Sequence, residues 1–197
     1  ITRRTFLKTV AASAPLIISA DALGATSPGA NDIVNVAFIG LGGRCNDIAN
    51  ACLGMKGIRV AAVCDCFRPR VDSSVAYLEK NGMAAKGYTD FREMIEKEKL
   101  DGVMVETTTH ARAWIACHAM AMGMDAYIEK PMCLTIAEGR QMVNVARKYK
   151  RVTQVGTQQR SIALNNWASD LVKNGALGKI KEVLAPNFMS PDPWKDQ

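Results

Sequence analysis

An apolar run that breaks into glycines constrains this chain more than any other stretch. Ile33-Val-Asn-Val-Ala-Phe-Ile-Gly-Leu-Gly-Gly-Arg44 passes from buried-strand composition to three glycines, Gly40, Gly42 and Gly43. A parallel strand that turns sharply into a helix beside a bound phosphate has this form. Gly40 permits the tight turn, and Gly42 lets the backbone approach a pyrophosphate. The following helix directs free N–H groups and the positive end of its dipole at the anion. Cys45 stands at the third position of the G-x-G-x-x-G pattern, and it is small enough to preserve close helix–strand packing. A glycine-rich loop without a ligand is the competing reading of this segment alone. A second apolar run, Ile58 to Cys64, follows a helix-length gap and ends at Asp65. An acid at that place hydrogen-bonds a ribose diol and repels a 2′-phosphate, which favours NAD over NADP. Arg68 and Arg70 lie close enough to reverse that preference.

The 197 residues suit one domain, or one domain and part of another. A hydrophobic content of 48% is that of a globular chain with a core. The net charge of +6 is spread without a basic, aromatic-interleaved patch, so nucleic acid is not an expected partner. Six cysteines occur with no C-x-x-C pair. Successive residues of Cys64-Asp-Cys66 would point to opposite faces of a strand, so free thiols are expected and a metal site is not.

The first residues read as a targeting segment. Thr2-Arg-Arg-Thr-Phe-Leu-Lys8 matches the twin-arginine pattern, and Val10 to Ala20 is apolar but too short to span a bilayer. Ala20-Asp-Ala22 and Ala22-Leu-Gly-Ala25 are candidate cleavage regions, and Thr26 to Ala30 reads as a linker. The alternative is an amphipathic N-terminal helix of the mature fold. Twin-arginine machinery carries folded proteins, so the expected location is periplasmic or exported, with the nucleotide loaded before export.

Strands and helices then alternate. Helices are expected from Val71 to Lys80 after Pro69, from the Asp90-Phe-Arg-Glu93 capping box to about Lys99, and from Ala111 to Met122. Another is expected from the Thr135-Ile-Ala-Glu138 box to about Tyr149. Strands are expected at Asp101–Glu106, Asp125–Ile128 and Arg151–Gly156, with Tyr88 opening a short connection. After Arg160 come one helix, about Ala163 to Asn174, and one strand, about Lys179 to Phe188. This order predicts an α/β fold, a doubly wound parallel sheet of Rossmann type. Ligands bind beyond the carboxyl ends of such strands. The segments to watch are therefore Gly40–Arg44, Asp65, Thr107–His110, Glu129–Pro131 and Thr157–Arg160.

The chain resembles the Gfo/Idh/MocA family, oxidoreductases similar to glucose–fructose oxidoreductase and inositol 2-dehydrogenase. Gly40-Leu-Gly-Gly-Arg44, Thr107 to His110, Glu129-Lys-Pro131, Gln154 to Arg160 and Asn174 to Ile180 carry the resemblance. It implies that Gly40, Gly42, Gly43 and Arg44 hold the pyrophosphate and Asp65 the adenosine ribose of NAD(P). It implies that Thr107 and His110 line the nicotinamide side and that Glu129 contacts the nicotinamide ribose. Lys130 would reach both the substrate hydroxyl and the nicotinamide as the catalytic cation, and its bond to Pro131 is often cis in the family. An ammonium beside the reacting alcohol stabilises the alkoxide that develops as hydride leaves. Gln158 and Arg160 are substrate-side candidates, or else a polar linker. Arg112 stands where many exported members carry a second histidine.

The expected organisation is a leader and linker over 1–30, a dinucleotide-binding domain over 31–157 and the start of a second domain over 158–197. Members of the family continue into a second α/β domain, which bears an Asp/His acid–base pair and often the oligomer interface. This chain starts at Ile1 and has no histidine after His118, so a piece of a longer, homo-oligomeric protein is expected. The function implied is hydride transfer between nicotinamide and a sugar, cyclitol or related polyol. The alternatives are a glycosidase acting through transient oxidation by NAD, and a non-catalytic nucleotide-binding protein.

Overall fold

The computed structural model describes residues 32–185. The twin-arginine segment and residues 186–188 of the expected last strand lie outside the described residues. The chain divides into two units, Ile1–Gly156 and Thr157–Gln197.

The first unit holds β1 (Val34–Ile39), α1 (Gly43–Leu53), β2 (Ile58–Cys64), α2 (Arg68–Lys80), β3 (Lys86–Tyr88), α3 (Phe91–Lys97) and β4 (Gly102–Val105). It continues with α4 (Thr109–Ala121), β5 (Asp125–Glu129), α5 (Ile136–Tyr149) and β6 (Thr153–Gly156). All six strands are parallel, in the order β3-β2-β1-β4-β5-β6. The direction of winding reverses between β1 and β4, the place where such sheets open a ligand crevice.

Side-chain alternation splits the core into two layers. Val36 and Phe38 of β1 face one layer with Cys45, Ala49 and Cys52 of α1 and Val71 and Leu78 of α2. Ala37 and Ile39 face the other, with Val103 and Val105 of β4 and Ala113, Ala116 and Met120 of α4. The β1–β2 register slips by one residue, from Val36↔Val60 to Ala37↔Ala62. Val60 and Val63, three apart, therefore share a layer, as a bulge at Ala61 requires.

Three expectations are corrected. Lys86–Tyr88 is a strand, paired with β2 from Ala62 to Cys64, rather than a connection. A Cβ on its central Gly87 would stand 2.5 Å from Val71 Cγ1, so glycine lets α2 lie on this edge. The Asp90 motif is half of a capping box. Asp90 accepts from Arg92 N, whereas Glu93 pairs forward with Lys97. The helix stops at Lys97. Thr135 and Glu138 do form the reciprocal box, with Glu138 N to Thr135 Oγ1 at 3.2 Å and Thr135 N to Glu138 Oε2 at 3.1 Å. In the second unit, Gln158–Ser161 is a 3-10 turn and α6 spans Ala163–Lys173. Residues 179–185 are irregular rather than extended strand. An isolated extended run has no ladder without a partner, and none of the described residues supplies one.

Candidate functional site

The glycine turn sits at the carboxyl end of β1, where its neighbours fix its shape. Gly40 has φ +93°, and a Cβ there would lie 2.6 Å from Thr107 N and 2.8 Å from Glu106 C. Its own N–H donates to Cys64 O at 2.8 Å, tying the turn to β2. Gly42 caps α1 without a side-chain hydrogen bond, and a Cβ on Gly42 or Gly43 would meet nothing within 4 Å. The first turn of α1 contains no acid. No side chain caps its first N–H groups, the arrangement that receives phosphate. Cys45 is buried against β1 with Ala49 and Cys52, so the departure from glycine is absorbed by packing. Burial pushes the Cys45 thiol up to about 12, with Glu106 and Asp65 adding to the shift. The thiol is an inert core group.

Asp65 braces the turn. Its Oδ2 accepts from Leu41 N at 2.8 Å and its Oδ1 from Phe67 N at 2.9 Å. Arg70 Nη1 stands 3.9 Å from Oδ2. Oδ1 also accepts from Cys66 Sγ at 3.8 Å, so the remaining capacity for a diol lies mainly on Oδ2.

Beyond β5 the chain runs through Glu129 into Lys130 and Pro131, whose peptide bond is cis. Glu129 is 2% exposed. Its Oε1 accepts from Arg44 Nε at 2.9 Å and its Oε2 from Lys130 N at 2.7 Å. Glu129 therefore links the first turn of the glycine helix to the backbone of Lys130. That hydrogen bond raises the Arg44 pKa above its ordinary value. Gly156 on β6 makes the space for this link, since a Cβ there would lie 2.5 Å from the Tyr127 hydroxyl and 3.0 Å from Glu129 Oε1. Lys130 is exposed. Arg112, buried on α4, donates from Nη1 to Pro131 O at 2.6 Å.

Glu106 and Thr107 directly follow β4 and lie against Gly40. Both carboxylate oxygens of Glu106 and the Thr107 hydroxyl are buried with no hydrogen-bond partner among the described residues. Burial pushes the Glu106 carboxyl up to about 7; Glu129 pushes the same way, and Arg44 and Arg112 oppose it. His110 lies exposed in the first turn of α4, its Nδ1 3.0 Å from Thr108 Oγ1.

These strand ends surround a cleft of about 570 Å³, lined by Gly40, Gly42, Asp65, Glu106, Thr107 and His110 and walled by Phe91 and Trp114. That volume suits a small organic ligand. A second cleft of about 350 Å³ between α1 and α2 is lined by no charged side chain. Among the described residues no cluster of three His, Cys, Asp or Glu suits a metal ion. Gln158 and Arg160 lie on the 3-10 turn of the second unit.

Glu106 and Tyr127 escape the sequence motifs, and the contacts made by Arg112 and Gly156 were not read from them. Glu106 had a signal of its own: like Asp65, it is an acid closing an otherwise apolar strand. The partners of Arg112 and Gly156 are 19 and 27 or more positions away, and no local pattern encodes them.

A parallel sheet with an open, glycine-capped helix end at its reversal point defines a dinucleotide-binding protein of the Rossmann class. The orphaned polar atoms of Glu106 and Thr107, and the space at Gly42 and Gly43, fit such a ligand. The chain belongs to the Gfo/Idh/MocA oxidoreductase family with an NAD-binding Rossmann fold, whose model matches residues 34–157. It is 29% identical over 125 residues to a glycosyl hydrolase family 109 protein of Shewanella sp. strain W3-18-1, covering 61% of this chain and 27% of that protein. Among solved structures it is similar to myo-inositol 2-dehydrogenase from Lactobacillus plantarum, with a TM-score of 0.68, 25% identity, and coverage of 75% and 43% of the two chains. It also shares its fold with scyllo-inositol dehydrogenase from Lactobacillus casei, solved with NAD(H) and scyllo-inositol, at TM-score 0.67 and 19% identity over 74% and 42%. The chain thus spans about a quarter of the curated relative's length.

Proposed function

We propose that this chain is the cofactor-holding part of an NAD(P)-dependent oxidoreductase that moves hydride between nicotinamide and a sugar, cyclitol or related polyol. The observation that carries the proposal is the Arg44–Glu129–Lys130 link, which fixes the backbone of an exposed lysine to the phosphate-binding helix. The bound nicotinamide supplies the hydride acceptor or donor. The α1 N-terminus and its glycines take the pyrophosphate, and Asp65 takes the adenosine ribose. An acid at that place disfavours a 2′-phosphate, so NAD is the favoured form. Glu129 orients Lys130, whose ammonium stabilises the developing alkoxide. Thr107 and His110 line the cleft, and Gln158 and Arg160 belong to the substrate side.

The test is Lys130→Met in the full-length protein. We expect kcat to fall on the order of a hundredfold or more, with NAD affinity kept within a few-fold. Unchanged turnover removes Lys130 from the reaction.

A second reading is favoured by the likeness to a glycosyl hydrolase family 109 protein. A glycosidase that oxidises its substrate transiently recycles the cofactor in each cycle. Release of reducing sugar without net NADH marks that chemistry, and net NADH formation marks the dehydrogenase. The twin-arginine pattern at Thr2–Lys8 supports export to the periplasm with nucleotide already bound. Nucleotide released on denaturing protein purified from the exported fraction tests this. A homo-oligomeric full-length enzyme belongs to the same proposal, and its solution mass tests it.

A further inference from the structure

Glu106 closes β4 inside the cleft, and none of the roles above uses it. It is 8% exposed, and both of its carboxylate oxygens lack a hydrogen-bond partner among the described residues. The adjoining Thr107 hydroxyl is orphaned in the same way. Buried polar atoms are rarely left unpaired in a native protein, and a cluster of them on a cleft wall marks where a ligand completes the bonds.

The position narrows the ligand. Glu106 N donates to Ile39 O at 2.8 Å, and Gly40 packs against the Glu106–Thr107 backbone. The acid therefore adjoins the turn whose helix end receives the pyrophosphate. The charged and titratable groups around it are Glu129 and Tyr127 from β5, Arg44 and Cys45 from α1, and Arg112 from α4. Arg44 is engaged by Glu129, and Arg112 donates from Nη1 to the Pro131 carbonyl, while its buried Nε has no partner among the described residues. An ionised Glu106 would meet the Glu129 carboxylate and a bound pyrophosphate together, and both would repel it. A neutral carboxyl meets neither penalty and offers one O–H donor.

We propose that Glu106 is a dinucleotide-binding residue that works in its protonated form, its O–H donating to an oxygen of the ribose–pyrophosphate backbone. The proposal rests on the cofactor reading above and deepens it. Burial and Glu129 bring the carboxyl to about 7 in the free protein, and the pyrophosphate charge raises it further on binding. Above neutrality the Glu106 carboxylate takes one proton from solvent as the dinucleotide enters. No bond of the nucleotide changes.

The experiment is calorimetric titration of the full chain with NAD and with ADP-ribose, from about pH 6 to about pH 8.5, in two buffers of different ionisation enthalpy. The expected result is that both ligands weaken by about tenfold per pH unit above pH 7, with uptake of about one proton. Glu106→Gln keeps an N–H donor and does not titrate, so its affinity stays level across the range. His110 lines the same cleft, and the pH dependence must survive in His110→Gln. If Glu106→Gln does not fold, proton uptake by the wild-type and His110→Gln proteins still decides. Affinity that is level or rises with pH, or a dependence lost in His110→Gln, overturns the role of Glu106 and leaves the cofactor reading standing. No binding of either ligand at any pH overturns both.

Discussion

Gly40 satisfies two independent requirements at one position. Its φ of +93° lies where L side chains rarely go, and a Cβ would strike the backbone of Thr107 at 2.6 Å. Backbone atoms cannot swing aside as the end of a long side chain does. Gly40→Ala should therefore cost about 3 kcal/mol or more, read as a lowered urea midpoint, and should weaken NAD binding as the turn shifts. Glu106 makes a second prediction. Its folded-state pKa of about 7 exceeds the ordinary 4.5, so the native state holds the proton more tightly than the unfolded chain. That stabilisation is fully present below pH 4.5 and is lost as pH rises through 7, an effect of about 3 kcal/mol. Glu98, held low first by Lys86, and Asp90, held at about 2 by Arg92, lose their contributions only below the ordinary carboxylate range. Unfolding measured at pH 5 and pH 8 should therefore differ, and Glu106→Gln should remove the part of the difference that Glu106 contributes.

Two helix starts show how far a local motif carries. Asp90-Phe-Arg-Glu93 and Thr135-Ile-Ala-Glu138 look alike in sequence, yet only the second closes both bonds. Glu93 is drawn forward to Lys97 instead, an i,i+4 pairing within α3. Thr135→Ala should cost about 1 kcal/mol, measured by chemical denaturation. Strand β3 went unread for a similar reason. Three residues with a central glycine carry no alternation, and only pairing with β2 defines them. The loop after β5 depends on a contact from another element, the Arg112 bond to Pro131 O. Arg112→Ala removes a buried, charged donor to the Pro131 carbonyl and should destabilise by about 1–3 kcal/mol, with a larger loss of turnover than of NAD affinity. A parallel loss of both quantities would assign Arg112 to folding alone.

The sheet as a whole gathers residues from Gly40 to Glu129 at one edge of the strands, where the β1–β4 reversal opens the cleft. Ligand binding there should stabilise the entire first unit, because the bonds it completes lie on β1, β2 and β4 at once. NAD at a hundred times its Kd should add about 2.7 kcal/mol to unfolding, followed as a rise in Tm. A greater rise with NADP would reverse the preference attributed to Asp65. The α/β class, the parallel alternation and the Gly40–Arg44 turn follow from local patterning, because strand hydrophobicity, glycine freedom and helix caps act between near neighbours. Asp65, Glu129 and Lys130 were visible as candidates because each stands directly after a strand or at its end. Their partnerships were not. That Asp65 braces Leu41, that Glu129 joins Arg44 to Lys130, and that Glu106 is buried without a partner all depend on which strand ends meet. Packing sets those meetings across tens of residues, and desolvation acquires its sign and size only once the walls are in place. The opening glycine turn therefore marks the candidate phosphate site, while the assembled sheet fixes which charges stand around it.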